Sequence, residues 1–234
     1  MASYLRTLLR YSNISNEELK REIGHAWCPV QYETEDFKAL FLNRLTIIGD
    51  SREQNDWIEK ACLYYGIRYA KAVKDKKAGT ENLKEGDYTF KLDYGVTQFD
   101  FTGKVAYERK GSLSEIYNNL KSKDRERIER EFKRFGEKGY KKVVMILEYG
   151  SNVSDLLNGK FEFIDHYGIN NDRDVGKLVF SSLMSWKQPN AYNFEIYQDE
   201  NHTDTFWFMV MDMYYYFRNE LKRRLENETA SNEN

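Results

Sequence analysis

The chain alternates short apolar runs with longer segments in which apolar residues recur every three or four positions. The short runs predict buried strands, and the longer segments predict helices. The predicted strands, in chain order, are 45–49, 67–73, 88–92, 105–109, 141–149 and 192–198. The predicted helices are 55–66, 114–138, 174–186 and 203–227. Strands interleaved with helices in this way predict an α/β fold, with a mixed central sheet flanked by helices.

The two ends of the chain differ in pattern from its middle. Residues 1–45 predict a helical extension, with Ser15 and Glu18 spaced as in a capping box and Pro29 as an interruption. Residues 46–225 carry the remaining elements with no internal repeat and no proline- or glycine-rich linker, so we expect one compact domain there. The polar residues 226–234 predict a disordered tail.

Composition narrows the class of protein without choosing a function. Hydrophobic residues make up 41% and charged residues 32% of the 234 residues, as in a folded globular protein. No stretch reaches the roughly 20 apolar residues that a membrane span needs. The start is too polar for a secretory signal, and two cysteines make no disulfide framework, so we expect an intracellular protein. A net charge of -2 argues against coating nucleic acid through bulk charge.

Three acidic residues stand near the ends of predicted strands. Asp50 follows the first strand, and Asp87 precedes a predicted hairpin whose turn region is 93–104. Glu108 lies in the second hairpin strand with Lys110 two positions later, so the two side chains share a face, and Arg109 points the other way. Carboxylates suit Mg²⁺, which can activate water for phosphodiester hydrolysis. Glu and Lys also alternate on many solvated strands, so this spacing alone does not decide between the two.

Three sequence blocks together resemble a known signature. Gly86-Asp87 is followed after a gap by Glu108-Arg109-Lys110, and an upstream apolar strand ends in Asp50-Ser51-Arg52-Glu53. These blocks resemble the XPF-type structure-specific endonucleases, a branch of the restriction-endonuclease-like PD-(D/E)xK superfamily. The resemblance covers about residues 45–150. It is greatest to short stand-alone phage and prophage members, in which a helix rich in Arg and Glu follows the signature; here that helix is KDRERIEREFKRF.

The resemblance implies a function and a set of site residues. It implies a restriction-endonuclease-like core and a Mg²⁺-dependent DNA endonuclease, in which Mn²⁺ would substitute, acting on branched or flap DNA in recombination, repair or replication. It also implies a homodimer or heterodimer and, for a phage member, the cytoplasm of a bacterial host. By position, Asp87, Glu108 and Asp50 match metal ligands, Lys110 matches the catalytic lysine, and Arg52 and Arg109 match residues that contact phosphate or brace the site. The alternative is a catalytically silent DNA-binding or scaffold subunit.

The chain departs from the family pattern in two places. The last Asp of the signature falls at Ser114, with Glu115 immediately after it, so either Glu115 takes that role or the position is dispensable. Helicase domains and tandem helix-hairpin-helix modules, which larger members carry, have no counterpart in this sequence. Specificity for a branched DNA therefore does not transfer with the resemblance.

A basic segment follows the signature. Residues 121–142 contain ten basic and five acidic residues. One interpretation is a helix that contacts the DNA backbone, and the other is a solvated helix with internal ion pairs. The first interpretation assigns DNA binding to Lys121, Lys123, Arg125, Arg127 and Arg130.

Overall fold

A computed structural model describes the chain over residues 41–72, 83–95, 98–120, 122–164, 170–188 and 192–232. The helices predicted before residue 41 lie outside these ranges. The strands are β1 (Leu45–Asp50), β2 (Arg68–Ala72), β3 (Tyr88–Asp93), β4 (Gln98–Asp100), β5 (Val105–Lys110), β6 (Lys142–Leu147), β7 (Lys160–Ile164), β8 (Asn170–Asp174) and β9 (Glu195–Gln198). The helices are α1 (Trp57–Tyr65), α2 (Leu113–Asn119), α3 (Ser122–Glu137), α4 (Val153–Leu157), α5 (Gly176–Trp186) and α6 (His202–Asn232).

Seven of these strands form one mixed sheet. Its order is β2-β1-β3-β5-β6-β9, and β4 pairs with β3 off this path. β1 and β2, β5 and β6, and β6 and β9 are parallel pairs, whereas β3 is antiparallel to β1, β4 and β5. The predicted α/β class, with a mixed central sheet flanked by helices, is therefore confirmed. No helix in the described parts of the chain is long and apolar enough to cross a membrane.

The core divides between the two faces of the sheet. Alternate residues of β6 enter different clusters, with Val144 and Ile146 on one face and Val143, Met145 and Leu147 on the other. Helices α1 and α6 cover the first face, and helices α2, α3 and α5 cover the second. This alternation follows from the two-residue period of a strand buried on both sides.

The C-terminal helix α6 contributes a long apolar stripe to the first face. Its buried residues recur at helical spacing, and they are Phe206, Met209, Val210, Met213, Tyr214, Phe217 and Leu221. The ring of Phe217 packs against Phe41, Phe99 and Phe101. This helix continues to Asn232, into the residues whose polar composition predicts a disordered tail, so the helix ends later than predicted.

The structure also differs from the predicted elements where a strand or helix is short. The predicted turn region 93–104 contains β4, because Phe99 is buried and the strand pairs with β3. The single helix predicted over 114–138 is two helices, α2 and α3, and the buried Leu120 follows the first of them. Helix α4 and the β7–β8 hairpin lie in a segment to which the pattern assigned no element.

A buried polar network fixes α6 to the sheet. The Tyr107 hydroxyl donates a hydrogen bond to Asp212 Oδ2 at 2.8 Å, and Lys142 Nζ lies 2.8 Å from Asp212 Oδ1. Burial raises the pKa of the Asp212 carboxyl, and the hydrogen bonds from Lys142 and Tyr107 counteract this rise. The negative charge of Asp212 therefore depends on both donors.

We expect Tyr107→Phe to lower the free energy of unfolding by about 1–3 kcal/mol, because the buried Asp212 oxygen loses its donor. Tyr88→Phe is the matched control. Both tyrosines are fully buried, but the Tyr88 hydroxyl has no hydrogen-bond partner among the described residues. Urea denaturation of both variants measures the difference. An equal loss of stability in the two variants would contradict the role of Asp212.

Candidate active site

Three strands bring polar residues together at one edge of the sheet. Asp50 ends β1, Asp87 immediately precedes β3, and Lys110 ends β5. The Asp50 amide donates to the Asp87 carbonyl at 2.7 Å, and the Asp87 amide donates to the Tyr107 carbonyl at 2.9 Å. Asp87 is therefore bonded through its backbone to both neighbouring strands. Ligand sites of open α/β sheets often lie at the carboxyl ends of strands, as here for β1 and β5.

Glu108 and Lys110 form a buried pair on one face of β5. Lys110 Nζ lies 2.6 Å from Glu108 Oε1. Glu108 Oε2 is also buried, but it has no hydrogen-bond partner among the described residues. The predicted common face of the two side chains is confirmed by this contact. An unpartnered buried carboxylate oxygen is costly, which suggests that a ligand completes it.

The charges of this cluster are unbalanced. Burial raises the pKa of Asp87 well above its ordinary value, and the nearby charge of Glu108 raises it further. Burial lowers the pKa of Lys110, but the charge and hydrogen bond of Glu108 and the charge of Asp87 outweigh burial, so this pKa lies above its ordinary value. Lys110 is therefore a cation at neutral pH. The Lys110 ammonium group is therefore the positive charge next to both the Glu108 and the Asp87 carboxyl groups.

Arg109 points away from this pair and is enclosed by acidic groups. Its Nη1 lies 2.7 Å from Glu148 Oε2, and its Nη2 lies 3.2 Å from Glu53 Oε1. Its backbone amide donates to Asp87 Oδ2 at 2.8 Å. Glu148 also accepts a hydrogen bond from Trp57 Nε1 at 2.7 Å. Of the two roles that the sequence allows for Arg109, this geometry favours bracing the site over contacting phosphate.

Arg52 and Asp50 form a fixed pair at the rim. Arg52 Nε and Nη2 donate to the two oxygens of Asp50 at 2.8 and 2.9 Å. The Asp50 side chain is 2% exposed, whereas that of Arg52 is 65% exposed. The buried carboxylate therefore positions an accessible guanidinium. The predicted role of Asp50 as a metal ligand stays a prediction.

Helix α3 borders the pocket and is held to the segment before Asp87 by ion pairs. Arg134 Nε and Lys138 Nζ both bind the buried carboxylate of Glu85, two residues before Asp87. The same helix places Glu131 in the pocket. Burial raises the pKa of the Glu131 carboxyl, and the charge of Glu108 adds to this effect.

These side chains surround an open pocket of about 430 Å³. Its lining residues are Asp50, Arg52, Glu53, Gln54, Gly86, Asp87, Glu108, Arg109, Lys110, Glu115, Asn119, Arg127 and Glu131. All six residues predicted to be catalytic are among them. Within the described ranges, no three His, Cys, Asp or Glu side chains converge as a closed metal cage. A two-carboxylate site is compatible with Mg²⁺, which keeps several waters, but not with a closed zinc site.

The predicted DNA-binding residues lie in different surroundings. Lys121 and the Lys123 side chain are outside the described parts of the chain. Arg125 pairs with Glu129 at 2.8 Å, as expected for a solvated helix. Arg130 lines a separate pocket together with Tyr192. Arg127 lines the pocket of the candidate site.

Glu115 has a local structural partner. Its amide donates a hydrogen bond to the Ser112 hydroxyl at 3.1 Å, and its Oε2 accepts a hydrogen bond from the Gly111 amide at 2.9 Å. These contacts resemble a capping box at the start of α2. Glu115 Oε1 also lies 3.7 Å from Lys110 Nζ. Ser114 bonds Ser112 through their hydroxyls at 3.0 Å.

Two residues of the site were not predicted from the sequence. Glu148 directly follows β6. Because Leu147 pairs with Lys110, Glu148 lies next to the end of β5, the strand that carries Glu108, Arg109 and Lys110. An acidic residue directly after an apolar strand was the available signal. Glu131 lies in a helix rich in charged residues, where nothing in the local pattern separates it from its exposed neighbours.

Comparisons with known proteins give a limited result. No protein-family model and no characterised protein matches this chain by sequence. Among solved structures, the chain is similar to XPF from Aeropyrum pernix, with 14% identity, a TM-score of 0.46, and 71% of this chain and 64% of that chain covered. The same protein in complex with DNA gives 14% identity and a TM-score of 0.46, with 73% and 63% covered.

The chain thus spans less than two thirds of the solved XPF chains. A likeness at this level concerns the fold alone. The resemblance to short phage and prophage members stays a prediction.

We expect Gly86→Ala to displace the Asp87 turn. Gly86 has φ of 76°, and an added Cβ would lie 2.9 Å from the Ala106 Cβ. Gly95 is the control, because its φ is 85° but no described atom lies within 4 Å of an added Cβ. Both alanines carry the strain of positive φ, about 1–2 kcal/mol. The Gly86 variant should lose about 1–3 kcal/mol more, measured by denaturation, because of the clash. Equal losses would contradict the close approach.

Proposed function

We propose that this protein is a metal-dependent DNA endonuclease that hydrolyses phosphodiester bonds at the pocket of Asp87, Glu108 and Lys110. The observation that carries the proposal is the buried Glu108 Oε2, which has no partner among the described residues, in a pocket that Asp87 also lines. Two carboxylates beside a single ammonium group leave excess negative charge. A divalent cation would balance this charge and complete the coordination of the free oxygen.

The donor set fits Mg²⁺, with Mn²⁺ as a substitute. Mg²⁺ prefers oxygen ligands and is usually held by one or two carboxylates, with waters and substrate phosphates as the remaining ligands. Asp87 and Glu108 would hold it. When bound, such an ion polarises a phosphate oxygen and lowers the pKa of water.

The side chains of the chain supply the remaining functions. Lys110 is held as a cation by Glu108, so it stabilises negative charge on the phosphate oxygens and does not accept a proton. Arg52, fixed by Asp50 and exposed at the rim, is placed to contact a phosphate. Arg109 holds the Asp87 carboxylate through its backbone amide and is itself fixed between Glu53 and Glu148.

DNA is the substrate that these charges favour. Arg127 lines the same pocket and its side chain is 56% exposed, which suits a backbone phosphate. The sequence resemblance adds branched or flap DNA as the preferred form, and a dimer as the preferred assembly. Both remain part of the proposal.

We expect Mg²⁺- or Mn²⁺-dependent cleavage of labelled DNA by the wild type. Asp87→Asn should lower the cleavage rate by more than about 100-fold, beyond the loss typical of a group outside the ligand shell. Duplex, flap, fork and four-way-junction substrates should be compared in parallel. Asp100→Asn is the matched control, because Asp100 is exposed, ends β4 and lies outside the pocket.

Thermal unfolding separates loss of function from loss of fold. In EDTA, Asp87→Asn should be at least as stable as the wild type, because the variant removes a buried charge next to Glu108. Added Mn²⁺ should stabilise the wild type and leave the variant unchanged. Equal cleavage by the wild type and the variant would refute the proposed site. If the wild type binds DNA without cutting any substrate, the silent-subunit alternative would be supported.

We expect Arg127→Gln to weaken DNA binding. The slope of the logarithm of the affinity against the logarithm of the salt concentration should become less steep by about one, as for one lost phosphate contact. Fluorescence anisotropy in Ca²⁺ over a salt series measures both. Arg130→Gln is the comparison, because Arg130 lies in the same helix but lines a different hollow. Arg130→Gln should lose less DNA affinity than Arg127→Gln. An Arg127 variant with unchanged affinity would contradict DNA contact at the pocket.

A further inference from the structure

Six carboxylates line the pocket, and five of them are already engaged. Asp50 is bonded by Arg52, Glu53 by Arg109, and Glu115 by the Gly111 amide. Asp87 accepts the Arg109 amide, and Glu108 accepts Lys110 through one of its two oxygens. The sixth is Glu131, which makes no hydrogen bond or ion pair with a described residue. Its carboxylate is therefore available to a ligand in the pocket.

The position of Glu131 is set by the ion pairs that hold its helix. It enters from α3, the helix that Arg134 and Lys138 fasten to Glu85 beside the Asp87 turn. Its placement is therefore fixed relative to Asp87 by two ion pairs on the next turns of the helix. Glu108 lines the same pocket, and its buried Oε2 has no hydrogen-bond partner in the part of the chain that the structure describes.

The arrangement of the acidic side chains bears on the kind of metal contact that Glu131 makes. Among the described residues, no three acidic, His or Cys side chains converge closely enough to ligate one ion directly. This favours a contact of Glu131 with the waters of an ion over a direct bond to the ion. Mg²⁺ and Mn²⁺ sites of this kind retain waters, and each retained water needs hydrogen-bond acceptors.

We propose that Glu131 is a positioning residue of the metal site, which accepts hydrogen bonds from waters that accompany a divalent cation held by Asp87 and Glu108. This inference rests on the proposed function and adds a residue from outside the sequence signature. It assigns to α3 a task in cation affinity, separate from the DNA contact of Arg127.

Calorimetric titration of Mn²⁺ into the full chain without DNA tests the proposal. Glu131→Gln should weaken Mn²⁺ affinity by about tenfold, at the lower end of the loss seen for groups outside the ligand shell. Glu131→Asp keeps the negative charge and should lose less Mn²⁺ affinity than Glu131→Gln. Glu126→Gln is the matched control for removing one negative charge from the same helix, because Glu126 is exposed and lies outside the pocket. Its affinity should equal that of the wild type.

Cleavage rates at increasing Mn²⁺ provide the second readout. The Glu131→Gln variant should need about tenfold more Mn²⁺ for half-maximal rate and should approach the wild-type rate at saturation. Wild-type affinity in this variant would overturn the inference while leaving the nuclease proposal intact. A rate that stays low at saturating Mn²⁺ with unchanged affinity would also overturn it. Absence of Mn²⁺ binding by the wild type would refute the proposed function itself, and the inference with it.

Discussion

The burial of two carboxylates beside one ammonium group is the constraint on which the site depends. Asp87 and Glu108 lie in the same pocket, and Lys110 is the cation in direct contact with Glu108. Burial and mutual repulsion raise the pKa of Asp87, so its charged form costs stability in the protein alone. Such a cost is common where a site is built for a charged ligand. A divalent cation is the ligand that most directly relieves it.

The rest of the fold holds this unfavourable cluster in place. Asp87 is bonded through its backbone to Asp50 at the end of β1 and to Tyr107 within β5, and Glu85, two residues before it, is paired with α3. On the opposite face, Arg109 is fixed between Glu53 and Glu148, so its amide is positioned to bind the Asp87 carboxylate. The pocket is therefore formed by elements that are already packed before any ligand enters, as preorganisation requires.

Much of this arrangement could be predicted from the sequence, because it follows local rules. The two-residue strand period placed Glu108 and Lys110 on one face, and apolar runs located the strands of the central sheet. Short elements such as β4 and α4 escaped prediction, because they depend on pairing and burial that a local pattern does not contain. Glu131 and Glu85 could not be predicted for the same reason: their roles come from how α3 packs on the sheet. The boundary of α6 was wrong because polar composition does not by itself end a helix.

Crystals of the protein soaked with Mn²⁺ would show where the cation binds, because anomalous scattering locates the ion independently of any activity. We expect one strong anomalous peak within coordination distance of an Asp87 oxygen and Glu108 Oε2. The peak should be absent from Asp87→Asn crystals under the same soak. A peak elsewhere in the molecule, or none in the wild-type pocket at millimolar Mn²⁺, would refute the metal site.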